Sequence, residues 1–148
     1  DTVLGDPTEA ALIVAAEKAG MNQANLASLY PRISEIPFDS ISKRMVTVHR
    51  ALQGPTLAFV KGAPSTMMAA SSSQVRSTGV TRVTSEDRRR WQTANETLAG
   101  AALRVLALAY RELPEGYVDA DYDRELTFVG FVGMSDPLRD EAKAAITM

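Results

Sequence analysis

Residues 45–61 constrain this chain more than any other stretch. Met45, Thr47 and His49 alternate with Val46 and Val48, Gln53-Gly54-Pro55 makes a turn, and 57–60 is apolar up to Lys61. Period-2 alternation interrupted by a Gly-Pro turn is the mark of paired antiparallel strands. Upstream, 33–38 reads as another strand, with Ile33, Ile36 and Phe38 apolar and Pro37 pointing to an edge or a bulge. The polar run 39–44 closes these two strands into a hairpin, so three successive strands form an antiparallel meander. The third ends on Lys61, followed by Gly62, where backbone can be approached closely, and by Pro64, which can open a helix. A strand that delivers a cation to such a bend is a ligand-site candidate.

Helix signals surround the meander. Asp6 can cap a helix with Pro7 at its first position, and the helix runs to about Ala19 before Gly20 stops it. Glu9 falls three residues after the cap, so spacing favours a capping-box carboxylate over a ligand contact. Residues 22–29 give a second short helix. Residues 64–70 give a third, with Met67 and Met68 as core fillers, broken by Ser71-Ser72-Ser73. The polar run 74–83 reads as a loop or weak strand. A long helix starts near Thr84, in which Trp91, Ala94, Leu98 and Ala101 share a face, so Trp91 belongs to the core. Arg88-Arg89-Arg90 is read as solvating that helix. Residues 104–111 and 127–134 are apolar strands, the second with Gly130 and Gly133 allowing close packing, and 113–122 is a loop. Asp136-Pro137 opens a last helix over 138–146.

Composition removes several function classes. With no cysteine and one histidine, disulfides, thiolate metal sites and multi-histidine zinc sites are excluded. Sixteen basic residues against eighteen acidic ones, a net charge of −2, argue against coating nucleic acid. The longest apolar run, 10–16, is far short of the ~20 residues a membrane helix needs. Neither a Gly-x-x-x-x-Gly-Lys-Ser/Thr loop nor a Gly-x-Gly-x-x-Gly turn occurs. Two readings of Phe38 with Lys43 and Arg44 stay open: a core Phe beside a solvated basic turn, or an aromatic and two cations that stack a base and hold phosphates. His49 reads as a half-exposed strand residue. From the residues alone the chain is a soluble α/β domain for an anionic or nucleotide ligand, without a catalytic centre.

Five motifs, in order, resemble the nucleotide-binding domain of P-type cation-transporting ATPases. They are Gly5-Asp6-Pro7-Thr8-Glu9, Phe38-Asp39-Ser40 with Lys43-Arg44-Met45, Lys61-Gly62-Ala63-Pro64, Leu103-Arg104-Val105-Leu106-Ala107, and the stretch from Gly130 to Arg139. The pattern is similar to the calcium-pump-like (P2) branch. The resemblance implies an α+β fold, an antiparallel twisted β-sheet flanked by helices. It implies that Phe38 stacks on adenine, Glu9 accepts from its amino group, Lys61 forms the pocket floor, and Gly62 lets the nucleotide pack against backbone. Lys43 and Arg104 would face the phosphates. The ligand implied is ATP, carried as Mg-ATP in the parent protein, with no metal ligands expected in this fragment.

Ser40 departs from the pumps of animal cells, which carry arginine two residues after the stacking Phe; Lys43 and Arg44 are the nearest cations to replace it. Ser65 stands where a glutamate often follows Lys-Gly-Ala-Pro. The family's phosphorylated Asp-Lys-Thr-Gly-Thr motif and its magnesium-holding motifs are absent. The expectation is therefore a fragment, without an initial Met, that binds ATP and does not hydrolyse it. Residues 1–134 would be the nucleotide-binding domain, lacking its first strand or strands and so leaving a sheet edge exposed. Residues 135–148 would be the hinge returning to the phosphorylation domain. Its partners would be ATP and the phosphorylation and actuator domains of the parent chain, at the cytoplasmic face of a membrane, with the fragment itself not membrane-inserted. The competing expectation is a non-catalytic structural or interaction domain with a vestigial nucleotide site.

Overall fold

The computed structural model describes residues 6–135. Local capping sets most helix starts. The Asp6 carboxylate accepts from the Thr8 N–H at 2.9 Å ahead of α1 (Pro7–Lys18), and Asn22 caps α2 (Gln23–Leu29) through the Asn25 N–H at 3.0 Å. Then come β1 (Arg32–Asp39), β2 (Arg44–Arg50), β3 (Thr56–Gly62), α3 (Pro64–Ala70), β4 (Ser71–Arg76) and β5 (Gly79–Arg82). The chain continues through α4 (Ser85–Gly100), β6 (Arg104–Glu112), a 3₁₀ turn (Asp119–Asp121) and β7 (Leu126–Met134). Helix α4 opens on a reciprocal capping box: the Asp87 N–H donates to Thr84 Oγ1, and the Asp87 carboxylate accepts from the Thr84 N–H at 2.9 Å.

The strands form one seven-stranded sheet in the order β1-β2-β3-β6-β7-β4-β5. Every neighbouring pair is antiparallel except β4–β7. This is the α+β architecture expected, with one parallel pairing that the sequence did not announce. One sheet face is the core. Val46, Val48, Ala58, Val60, Ala107 and Ala109 are buried on it, with Met67 of α3 and Trp91 of α4 in the same cluster. Trp91 packs on Phe128 with ring centroids 4.2 Å apart. The opposite face, carrying Met45, Thr47, His49, Phe59 and Lys61, lies under α1, and neither α1 nor α2 has a buried residue.

Residues 71–83, expected as a break followed by a loop or weak strand, form the hairpin β4–β5. Its pattern is inverted: Ser71 and Gln74 are buried while Val75 and Val80 are exposed. The Ser71 hydroxyl satisfies itself on the Met67 carbonyl at 2.7 Å, which lets a polar residue sit inside. Arg88 does more than solvate α4: its guanidinium donates to the carbonyls of Met68 at 2.7 Å and Ser71 at 2.9 Å, closing the end of α3. Gly133 does permit a close approach, since a Cβ there would lie 2.8 Å from Leu103 Cδ1, whereas Gly130 has nothing within 4 Å. Among the described residues no helix is long and apolar enough to cross a membrane. The expected helix over 138–146 and all but the first residue of the expected hinge lie outside the described residues, as does Gly5.

Candidate functional site

The polar sheet face is built by strand alternation. β2 presents Met45, Thr47 and His49, and β3 pairs with it so that Lys61 lies opposite Met45 and Phe59 opposite Thr47. On β6, Leu108 lies opposite Lys61 and Tyr110 opposite Phe59, so Leu106 and Arg104 continue the same row. The first turn of α1 crosses this row. Lys61 Nζ donates to Glu9 Oε1 at 2.6 Å, and Arg104 Nη1 donates to Thr8 Oγ1 at 3.4 Å. Two cations on neighbouring strands thus hold the start of a helix that buries none of its own side chains.

Between helix and sheet lies a cleft of about 250 Å³ lined by Glu9, Phe38, Met45, Lys61, Arg104 and Leu106. It runs on, past Glu9, Met45 and Lys61, into a cavity of about 380 Å³ walled by Thr47, Phe59 and Tyr110. Phe38 is 62% exposed, which settles its two readings against a core role. The Glu9 carboxylate serves Lys61; the α1 cap is made by Asp6, so the capping-box expectation for Glu9 is corrected. A larger apolar groove of about 610 Å³ lies between α1, α2 and β2–β3. It contains none of the six residues nominated for the nucleotide site; His49, which lines it, bonds the Tyr30 carbonyl and Thr47 Oγ1.

Lys43 and Gly62 do not line the cleft. Lys43 is exposed at the hairpin turn with φ of 54°, and its own N–H donates to the Asp39 carbonyl at 2.7 Å. Gly62 shares the core face with Val60 and lies opposite Arg44. A Cβ on Gly62 would meet the Lys43 carbonyl oxygen at 2.5 Å and Arg44 Cβ at 2.9 Å. That glycine is required by cross-strand contact on the side away from the cleft. Arg44 does not replace the arginine missing at Ser40 either. By alternation with Met45 it faces the other side, where it pairs with Asp123 at 2.7 Å. The Asp39 carboxyl accepts from the Ser42 N–H at 2.7 Å, which holds it below its usual range and pins the turn.

Of the six residues nominated from the sequence, the fold brings four together: Glu9, Phe38, Lys61 and Arg104. It adds Thr8, Met45 and Leu106, which stand in the quoted motifs without having been nominated and are recoverable from strand or helix period.

The family model of the P-type ATPase cytoplasmic domain N matches residues 1–141. The chain belongs to that family. It is 35% identical over 144 residues to calcium-transporting ATPase 1 of Bacillus cereus, covering 97% of this chain and 16% of that protein. It is 40% identical over 147 residues to the cation-transporting ATPase pma1 of a Synechocystis species, again covering 97% of this chain and 16% of the relative. With the calcium-transporting ATPase of Bacillus subtilis it shares 34% over 144 residues. The N domain described here therefore spans about one-sixth of the length of these pumps.

Proposed function

We propose that the cleft binds the adenosine of ATP within a P-type cation-transporting ATPase and presents the γ-phosphate to an aspartate on a separate phosphorylation domain. What carries the reading is convergence. Phe38, Glu9, Lys61 and Arg104 come from four distant segments and meet in one cleft on one sheet face. An exposed aromatic ring at the cleft wall offers a stacking platform. The Glu9 carboxylate can accept from an exocyclic amino group, and Lys61 beside it offsets its charge. Arg104, at the start of β6, supplies a cation for phosphate. The contiguous volumes suit one nucleoside.

In the parent, the domain contributes positioning: binding energy at the adenosine end is used to place a distant phosphate during domain closure. Magnesium would travel with the phosphates toward that neighbouring domain. The domain sits on the cytoplasmic face, next to the phosphorylation and actuator domains, and residues 135–148 form the hinge. Calcium is the ion this reading favours, from the names of two of the relatives above.

Calorimetric titration with ATP tests the assignment. Saturable binding is expected, with Phe38→Ala weakening it by ~5- to 150-fold, the worth of one base–aromatic stack. Circular dichroism of the variant should stay unchanged, and no phosphate should be released. Absence of saturable binding, or an affinity indifferent to Phe38→Ala, refutes the site and leaves a structural or interaction domain.

A further inference from the structure

We propose that Pro37 is a positioning residue for the nucleotide cleft: the β-bulge it occupies turns Phe38 from the core face of the sheet to the cleft face. The inference rests on the nucleotide reading for its purpose and on strand register for its geometry.

In an antiparallel pair, opposed residues share a face and faces alternate along each strand. Along β1, Ser34 lies opposite Val48, Glu35 opposite Thr47 and Ile36 opposite Val46. Val46 and Val48 are buried in the core, so Ile36 is on the core face. An uninterrupted strand would bring Phe38, two residues on, to that same face and opposite Arg44. The pairing does not continue so. Asp39 is the residue opposite Arg44, and the register shifts between Ile36 and Asp39. One extra residue has been taken up in β1, and Phe38 falls beside Met45, with which it lines the cleft.

Both ends of the step are held independently of Phe38. Val46, 2% exposed, fixes the register at Ile36. The turn is fixed by the Ser42 N–H on the Asp39 carboxylate and the Lys43 N–H on the Asp39 carbonyl, both at 2.7 Å. Phe38 is itself 62% exposed, so burial of its ring does not hold it in place. Proline is the residue that makes the shift local. It has no N–H to give to a regular ladder and fixes its own φ, so a bulge on an edge strand suits it better than continuous pairing. β1 is an edge of the described sheet. An earlier shift, between Arg32 and Ser34, does the same for Arg32, which lies opposite His49 and lines the continuing cavity.

Two variants with opposite expected outcomes test this in the 148-residue chain. Pro37→Val restores an N–H and permits the regular ladder that opposes Phe38 to Arg44. It should weaken ATP binding at least ~fivefold, and adding Phe38→Ala should then cost much less than in the parent sequence. Deleting Pro37 removes the extra residue and leaves Phe38 opposite Met45, so binding and its full dependence on Phe38 should persist. Nuclear Overhauser contacts between the Phe38 ring and the Met45 methyl report the facing without nucleotide. They should be present in the wild type and the deletion variant and lost in Pro37→Val. If Pro37→Val keeps those contacts and the full Phe38→Ala penalty, the inference is overturned; it is also overturned if the folded deletion variant loses the contacts. Should the wild type show the contacts but no ATP binding, the nucleotide reading fails while the structural role of the bulge stands.

Discussion

Replacing Gly62 by alanine separates two roles a glycine in a Lys-Gly-Ala-Pro stretch can have. If the missing side chain serves the ligand, Gly62→Ala obstructs nucleotide and leaves the fold alone. The structure makes the opposite statement. The new methyl would sit 2.5 Å from the Lys43 carbonyl oxygen and 3.0 Å from Arg44 Cα, both backbone atoms. Neither can yield freely: that carbonyl accepts from the Ala63 N–H at 3.0 Å, and Arg44 is tied to Asp123. Overpacking of this sort costs ~1–3 kcal/mol. Where space permits, glycine to alanine instead gains ~0.4–1 kcal/mol by stiffening the unfolded chain. At mid-range values the clash outweighs the gain by ~1.3 kcal/mol, and for a chain of this size that net loss lowers Tm by ~3–5 °C. Two other glycines calibrate the comparison. Gly130→Ala, with open space around it, should be neutral or slightly stabilising. Gly133→Ala meets the flexible end of Leu103 first and should cost less than Gly62→Ala. Scanning calorimetry and urea unfolding of the three variants give the order directly. A Gly62→Ala protein as stable as wild type, but unable to bind ATP, would refute the cross-strand account.

Lys61→Met leaves the Glu9 carboxylate unpaired in the cleft, so ATP affinity should fall more than adenosine affinity; equal losses in parallel titrations would count against the pair's electrostatic role. Stability should change by less than ~1 kcal/mol, because the pair is partly exposed. The Asp87 carboxyl is held well below the ordinary carboxylate range, first by the Thr84 N–H and further by Gln74 and Arg76, against the opposing effect of burial. A depressed folded-state pKa gives stability that is present above the unfolded value near ~3.9 and is lost as pH falls toward the folded one. Thermal melts between pH 2 and 6 should therefore show Tm dropping below about pH 4, with a shallower drop in Asp87→Asn. Asp39 and Asp121 shift in the same direction and account for the part that remains.

Legibility followed the range of the interaction that decided each element. Asp6, Pro7 and Gly20 announced α1, and Thr84 announced α4, because caps are made within a few residues. Met45 to His49 declared its two faces, since Val46 and Val48 are buried in the core and the alternate residues are not. Trp91 was placed in the core by helical spacing alone. The hairpin β4–β5 was not legible: its inside residues are Ser71 and Gln74, and their burial depends on partners elsewhere in the fold. Its parallel pairing with β7 joins segments some fifty residues apart, which no local pattern encodes.

The candidate site divides along the same line. Motif order named Glu9, Phe38, Lys61 and Arg104, and the fold brings them into one cleft. Motif order also named Gly62 and Lys43, which register places outside it. Gly62 lies on the opposite sheet face, while Lys43 belongs to the turn. Sequence by itself determined most of the elements, which family the chain resembles and which side chains that resemblance nominates for the site. Only the tertiary structure decided which way each of them faces. Side-chain direction in a strand reverses with every residue, so a single bulge at Pro37, set by pairing with a neighbouring strand, is enough to move an aromatic ring from one side of the sheet to the other.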